Sequence, residues 1–198
     1  MPRAFAEGSS ESNIINGQIN LQSDISKLNV DITNVAGNVD AASVAGGNNA
    51  EIVTMNNTNV RNTQYVGSGA DIVSIVNADA TNVGGTTSIS SEAVCNQISI
   101  STDPHDVNVN SGQDCNATDP YSQVNASVTN AGNDVSIASQ ALGNSFEEDT
   151  NAPNTWIKNI QTNNSTEESV VNAQLTNING NAALSSVAIG NTAQIVHY

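Results

Sequence analysis

Residues 26–52 read SKLNVDITNVAGNVDAASVAGGNNAEI, and three further copies of this segment follow at intervals of 48, 48 and 47 residues without a gap. The other copies are SIVNADATNVGGTTSISSEAVCNQISI from Ser74, SQVNASVTNAGNDVSIASQALGNSFEE from Ser122 and SVVNAQLTNINGNAALSSVAIGNTAQI from Ser169. A repeat of this length is typical of a solenoid, a propeller or an array of small units. The sequence therefore predicts a repetitive architecture.

Asparagine fills three of the columns that are identical in all four copies. These asparagines are Asn29, Asn77, Asn125 and Asn172, then Asn34, Asn82, Asn130 and Asn177, and last Asn48, Asn96, Asn144 and Asn191. In a β-solenoid, equivalent residues lie above one another, and stacked Asn amides hydrogen-bond along the stack. Such a ladder pairs polar groups that cost about 1–3 kcal/mol each when they are buried without a partner. We therefore interpret the asparagines as structural ladders.

Apolar and polar residues alternate inside each copy, as they do for Leu28, Val30 and Ile32 in the first one. A period of two is typical of a β-strand with one buried face. The Thr-Asn pair then leads into a glycine-containing turn, a second short strand and a second turn. The pattern predicts an all-β protein with a β-solenoid (parallel β-helix) fold.

The length of one coil is inferred from a weaker internal similarity. Residues 53–60 (VTMNNTNV) echo residues 28–35 (LNVDITNV), which suggests two coils per 48-residue repeat. We expect about eight rungs of roughly 24 residues and a body roughly 35–40 Å long. Residues 101–120 and 149–168 contain three of the four prolines, so loops or widened turns are expected there. The predicted domain spans residues 14–198 as a single solenoid.

The charge limits the possible partners. The net charge is −15, and Arg3, Lys27, Arg61 and Lys158 are the only basic side chains apart from the histidines. Phosphate neutralisation needs clustered cations, so we expect neither nucleic acid nor an anionic membrane as a partner. The acidic surface leaves Ca²⁺ binding open, although no Ca²⁺ loop motif is present.

The location is indicated by the ends of the sequence and by its hydropathy. No run of 18 apolar residues exists, so no membrane span is expected. Residues 4–6 (AFA) look like the small-x-small end of an export cleavage site. We expect an extracellular or cell-surface protein.

Cys95 and Cys115 are the only cysteines. Cys95 occupies a turn column that holds glycine in the other three copies, and the separation of 20 residues is close to one predicted rung. Adjacent rungs bring Cα atoms within the roughly 4.4–6.8 Å that a disulfide needs. We predict a Cys95–Cys115 disulfide, in keeping with an oxidising compartment.

Residues with catalytic potential are few. His105 and His197 have no carboxylate or Cys at ligand spacing, and the acidic residues 147–149 are interpreted as a solvated run. We predict no catalytic residues, no metal and no cofactor, and hence not an enzyme. Trp156, the single Trp, is interpreted as an anchor that packs a loop onto the coil, with an exposed contact residue as the alternative.

One segment of the fourth copy resembles a known family. Residues 188–195 (AIGNTAQI), with ALGNS from Ala141 and AGGNNA from Ala45, resemble the Gly-x-x-Asn-x-Ala repeats of curlin subunits and related holdfast-anchor proteins of stalked bacteria. This sequence departs from that pattern because its Gly and Asn are adjacent and its 48-residue unit is longer than two curlin repeats. The resemblance implies export through an outer-membrane pore, stacking of subunits into fibres, and a role in adhesion or biofilm structure.

The predicted fold leads to the same function. Uncapped solenoid ends expose rows of backbone N–H and C=O groups, and identical ends that pair head to tail propagate into a filament. Residues 192–198 (TAQIVHY) contain no helical or charged cap. We expect an extracellular fibre subunit whose main partner is itself, with cell-surface anchor proteins or polysaccharide as further partners. Residues 1–13 are predicted to form a flexible or donated arm.

Two other function classes stay open at this stage. One is a non-polymerising adhesin or phage-fibre-type module whose flat face binds glycans. The other is a polysaccharide-acting β-helix enzyme, which requires a cluster of charged side chains on one face. Neither a column of aligned carboxylates nor a cluster of cations is evident, which disfavours the enzyme.

Overall fold

The computed structural model describes residues 12–102 and 105–198. Of the predicted N-terminal arm, residues 1–11 lie outside the described residues, and Ser12 and Asn13 belong to the first strand. The described chain forms twelve β-strands: β1 (Ser12–Asn20), β2 (Asp24–Val35), β3 (Val39–Thr54), β4 (Thr58–Val66), β5 (Ile72–Val83), β6 (Thr87–Thr102), β7 (Val107–Cys115), β8 (Pro120–Ala131), β9 (Val135–Thr150), β10 (Thr155–Asn163), β11 (Glu168–Ile178) and β12 (Ala182–His197).

The strands form three parallel four-stranded sheets. Sheet A has the order β1-β4-β7-β10, sheet B the order β2-β5-β8-β11, and sheet C the order β3-β6-β9-β12. Each turn of the chain therefore contributes one strand to every sheet. We call these turns coil 1 (β1–β3), coil 2 (β4–β6), coil 3 (β7–β9) and coil 4 (β10–β12). The prediction of a parallel β-solenoid is confirmed.

The predicted number of rungs is wrong. Paired residues are one full repeat apart, as in Val30 with Ala78, and the offset stays between 46 and 49 residues in all sheets. One 48-residue repeat is therefore one three-stranded coil, and the described part of the chain has four coils instead of eight. At a strand spacing of about 4.8 Å, the body is roughly 19 Å long along its axis instead of 35–40 Å.

Residues 53–60 echo residues 28–35 without stacking on them. The earlier segment belongs to β2 in sheet B, whereas the later one closes β3 and opens β4 in sheets C and A. Both segments alternate because each has one face toward the interior. Strand alternation thus produced a similarity that does not reflect stacking.

The proline-rich segments are mainly strands and not projecting loops. β7 and β10 run through them. Pro120 is the first residue of β8, where the missing N–H of proline is tolerated, and Pro153 lies in the short turn before β10. The expectation of extended loops is therefore wrong for the described part of these segments.

The interior is filled by aliphatic side chains from the alternating strand positions. Three buried clusters run along the axis: one between sheets B and C, one around the two cysteines, and one where sheets A and C meet. Ile72, Val76, Ile89 and Val124 are at most 1% exposed. In the described chain, no helix is long and apolar enough to cross a bilayer.

Candidate functional site: the two open ends of the solenoid

The C-terminal end exposes side chains whose counterparts in the preceding coils point into the interior. Leu184 is 55% exposed, whereas Ile137, which pairs with it one coil earlier, is 1% exposed. Ile195 is 54% exposed, whereas Ile100 in the same column is buried. Among the described residues no strand covers β12. Within the described chain, coil 4 therefore presents an apolar surface.

The N-terminal end is open along sheets A and B. Leu28, Val30 and Ile32 of β2 are only partly buried, although their side chains point inward. Their pairing partners in β5, Val76, Ala78 and Ala80, are buried. Within residues 12–102 and 105–198, β1, β2 and β3 pair on one side only. Both ends thus present unpaired backbone groups, as edge strands do.

Two asparagine ladders run along the outside of sheet B. Asn77 donates its Nδ2 to Oδ1 of Asn29 at 2.6 Å, and the two later members repeat this bond toward the preceding coil. Asn82 donates in the same direction to Asn34 at 2.8 Å, as do the later members of that column. Among the residues that the structure describes, both ladders therefore have an unused amide donor at coil 1 and an unused carbonyl acceptor at coil 4.

Backbone geometry explains why the Asn34 column contains only asparagine. Asn34, Asn82, Asn130 and Asn177 have φ between 54° and 59°, and no described glycine has a positive φ. Asparagine is among the few non-glycine residues that adopt this left-handed conformation readily. The sequence pattern suggested that glycine makes this turn, whereas the asparagine makes it.

A third ladder, inside the coil, has the opposite polarity. Asn48 donates to Asn96 at 2.8 Å, Asn96 donates to Asn144, and Asn144 donates to Asn191. The first three also donate to a carbonyl of the following sheet A strand. Asn191 has no following strand within the described chain, and its side-chain amide donates no hydrogen bond to a described residue.

A glutamine ladder in sheet A was not predicted from the sequence. Gln64 donates to Gln18 at 2.8 Å, and Gln113 and Gln161 continue the column with bonds of 2.9 Å. Each of these glutamines also donates to a backbone carbonyl of sheet C. The four residues lie outside the 27 aligned columns, and only their spacing of about one repeat indicated them.

Buried serines form a zigzag along the core between sheets B and C. Each hydroxyl donates to the hydroxyl or carbonyl of the previous serine in the series Ser26, Ser43, Ser74, Ser91, Ser122, Ser139, Ser169 and Ser186. Two invariant sequence columns supply these serines. The chain of hydroxyls starts at coil 1 and ends at Ser186, which is exposed at the open end.

Cys95 and Cys115 form a disulfide with Cα atoms 6.0 Å apart. The bond joins β6 of coil 2 to β7 of coil 3 and crosses from sheet C to sheet A. At the equivalent place one coil earlier, Gly47 faces Val66, and a Cβ on Gly47 would lie only 2.8 Å from that side chain. Glycine at this position therefore avoids both the carbonyl oxygen of Cys95, which lies 2.6 Å from the same point, and the Val66 side chain, whereas Cys95 lies opposite a second cysteine.

The acidic run at residues 147–149 is not fully solvated, contrary to the sequence interpretation. The run lies in β9, where Glu147 is exposed and Glu148 points inward with no exposed surface. Thr102 donates a long hydrogen bond of 3.4 Å to Glu148 Oε1, and Oε2 has no partner among the described residues. Burial raises the pKa of the Glu148 carboxyl to about 7.

The remaining residues singled out in the sequence have simple surroundings. Trp156 lies on the outer face of β10 and is 53% exposed, so its interpretation as a packing anchor is wrong. Nε2 of His197 lies 2.9 Å from the carbonyl oxygen of Ala152, and His105 is exposed. Among the described residues, no group of three metal-ligating side chains comes together.

Comparison with known proteins places this repeat structure in a family. The family model described as holdfast attachment protein D (HfaD) matches residues 14–198. The chain belongs to the HfaD family. Membership supports a cell-surface adhesion or anchoring role and the holdfast part of the sequence resemblance, whereas the curlin part is not confirmed. Searches of curated proteins and of solved structures found no significant match.

Proposed function

We propose that the protein is a structural subunit that polymerises head to tail through its open ends and forms an anchoring fibre at the cell surface. The observation that carries the proposal is the polarity of the four amide ladders. Among the described residues, coil 1 has an unused amide N–H in each of the columns of Gln18, Asn29 and Asn34, although Gln18 uses its other N–H for Asn49, and coil 4 has unused acceptors in the same columns. In the Asn48 column the polarity is opposite, with the unused acceptor at coil 1 and the unused donor at coil 4.

Stacking of a second molecule in register matches each of these groups. Its β1, β2 and β3 would continue sheets A, B and C beyond β10, β11 and β12. Asn29 of the added molecule would donate to Asn172, and Asn191 would donate to Asn48 of the added molecule. A contact between two different ends of identical molecules does not close, so it propagates.

The apolar groups at the junction support the same arrangement. In an in-register stack, Ala41 and Ile52 of the added molecule would cover Leu184 and Ile195. Burial of a Leu or Ile side chain stabilises by about 1.5–3 kcal/mol, so covering these half-exposed side chains contributes roughly 1 kcal/mol each. Backbone pairing along three strands adds to this term.

An intermolecular disulfide tests the register directly. We would substitute Asn29→Cys and Asn172→Cys together, because these outward positions face each other only across the proposed junction. Within one molecule they are three strand spacings apart, about 14 Å, which is too far for a disulfide. Across an in-register junction, the Cα atoms would lie about 4.8 Å apart. Oxidation should therefore give a ladder of covalent oligomers on a non-reducing gel.

The matched control shifts one cysteine by two residues along β2. The pair Asp31→Cys and Asn172→Cys keeps both thiols on the same outer face but separates the Cα atoms by about 8 Å across the junction. It should remain monomeric on the gel. Equal cross-linking of both pairs, or none of either, would reject the proposed junction. Discrete dimers or trimers would favour the non-polymerising adhesin.

A further inference from the structure

The outer face of sheet A lies away from the two ends of the solenoid. Basic residues are concentrated there: the strands of sheet A contain Arg61, Lys158 and a single carboxylate, Asp114. The strands of sheet B contain one cation and four carboxylates, and those of sheet C contain six carboxylates and no cation. In a chain of net charge −15, sheet A is thus the only sheet whose strands carry more basic than acidic side chains.

Arg61 lines a groove of about 530 Å³ on the outer face of sheet A, and Lys158 lies next to the groove on β10. Two adjacent columns line it. One column contains Asn59, Asn108 and Trp156. The other contains Arg61 and Asn110, and Lys158 continues it on β10. We call this surface the sheet A groove.

Two amides of the groove, those of Asn108 and Asn110, differ from those of the ladders, whereas Asn59 donates to Asn13 of the preceding coil. Asn108 and Asn110 make no side-chain hydrogen bond to any described residue, whereas each asparagine of the Asn29 column is bonded to its neighbour. Both amides are therefore available to hydroxyl groups of a ligand. Beside them, the half-exposed indole of Trp156 offers a flat apolar surface of the kind on which sugar rings stack.

We propose that the sheet A groove binds a linear acidic polysaccharide. A sugar ring stacks on Trp156, sugar hydroxyls bond to Asn108 and Asn110, and carboxylates of the ligand pair with Arg61 and Lys158. The two basic residues are two strands apart, so their Cα atoms are separated by about 10 Å. Two acidic groups of one extended chain are thus required to engage both, which favours a polymer over a single acidic sugar.

Trp156 makes the binding directly measurable, because it is the only Trp in the chain. We would titrate the full chain with an oligogalacturonate and follow indole fluorescence, with a methyl-esterified oligomer of equal length as the neutral probe. A saturable spectral change is expected with the acidic oligomer and should weaken as salt rises. Equal affinity for the neutral oligomer, equal affinity for single-stranded DNA, or no binding would overturn the proposal.

Two pairs of variants locate the site. Lys158→Gln should weaken binding about fivefold, as loss of one ion pair does, while Lys27→Gln makes the same change in net charge on sheet B and should have no effect. Trp156→Ala should weaken binding about tenfold by calorimetry, while Ile160→Ala, also exposed on β10, should not. The proposal fails if Lys27→Gln weakens binding as much as Lys158→Gln does, or if Ile160→Ala weakens it as much as Trp156→Ala does. Assembly is read separately by the cysteine cross-link, so either idea can fail alone.

Discussion

Coil 3 and coil 4 contain equivalent inward residues, but only coil 3 buries them. Ile137 and Asn144 of coil 3 are at most 1% exposed, whereas Leu184 and Asn191 of coil 4 are exposed. The two coils have the same strands, the same ladders and the same spacing. The exposure differs because coil 3 packs between two coils, whereas coil 4 packs against only one coil of the described chain. Coil 4 thus has the residues of an interior coil, although no further coil covers it within the described chain.

The largest effect is expected from a charge placed on the exposed interior column of coil 4. Leu184→Arg should abolish filament formation, because a neighbouring molecule would bury an unpaired cation against Ala41. The monomer should stay folded, since this position is half-exposed in it. Negative-stain microscopy together with circular dichroism would measure both outcomes.

The control for this variant is the adjacent residue. Ser185→Arg adds the same charge on the outer face of β12, where its column contains Ala138 and Ser90, and filaments should persist. If both variants form filaments, the open end of coil 4 is not the contact surface.

Removal of the disulfide between coils 2 and 3 is expected to have the next largest effect. The double variant Cys95→Gly and Cys115→Val reproduces the Gly47 and Val66 pair found one coil earlier, so packing is preserved while the covalent bond is lost. Unfolding free energy should fall by about 3 kcal/mol for a loop of this size.

Urea denaturation with and without reductant checks this prediction. Reductant should lower the stability of the wild-type protein toward that of the variant and leave the variant unchanged. Equal stability of both proteins under oxidising conditions would contradict the prediction.

The buried carboxyl of Glu148 should make the unfolding free energy depend on pH. Its pKa rises from 4.5 in the unfolded chain to about 7 in the fold, so the folded state holds a proton that the unfolded state releases. Stability is therefore lost as pH rises from about 4.5 to 7, and the penalty is complete above 7. Glu148→Gln should raise the unfolding free energy by about 3 kcal/mol at pH 8 and by little at pH 4.

The control for Glu148 is its neighbour on the outer face. Glu147→Gln removes an exposed carboxylate from the same strand and should leave the pH profile of denaturation unchanged. A profile that is the same for the wild-type protein and Glu148→Gln would show that the buried carboxyl does not govern this dependence.

The smallest predicted effect is the loss in unfolding free energy when ladder hydrogen bonds are removed. This loss should depend on whether the substituted asparagine has two ladder neighbours or one. Asn130→Gly keeps the positive φ and removes two ladder bonds, whereas Asn177→Gly removes one. In the monomer, the losses in unfolding free energy should be about 1 and about 0.5 kcal/mol. In a filament Asn177 would have a second ladder neighbour, so the loss for Asn177→Gly should rise to that for Asn130→Gly. Equal losses in the monomer would contradict the ladder account.

The sequence predicted the fold class because alternation and stacking both leave a repeating pattern. The Asn columns were recognised because each position repeats without a gap. The number of coils was not predicted correctly, since any strand with one inward face resembles any other, as residues 53–60 resemble residues 28–35. Alternation determines which face points inward, but it does not determine which strands pair.

The site could be predicted only in part for related reasons. Invariance pointed to the Asn columns but gave no hydrogen-bond direction, and this direction distinguishes the donor end from the acceptor end. The Gln18 column was missed because it lies in the variable half of the repeat. Glu148 was misjudged because its neighbours in the sequence are charged, whereas its neighbours in space include Thr102 and the aliphatic core.

The measurement that tests the central claim most directly is cryo-electron microscopy of the purified full chain. Head-to-tail stacking of four-coil subunits predicts unbranched filaments with a subunit rise of roughly 19 Å along the axis, four strand spacings of about 4.8 Å. It also predicts continuous sheets across each junction. A population of separate monomers or closed small oligomers at concentrations that preserve the fold would contradict the claim.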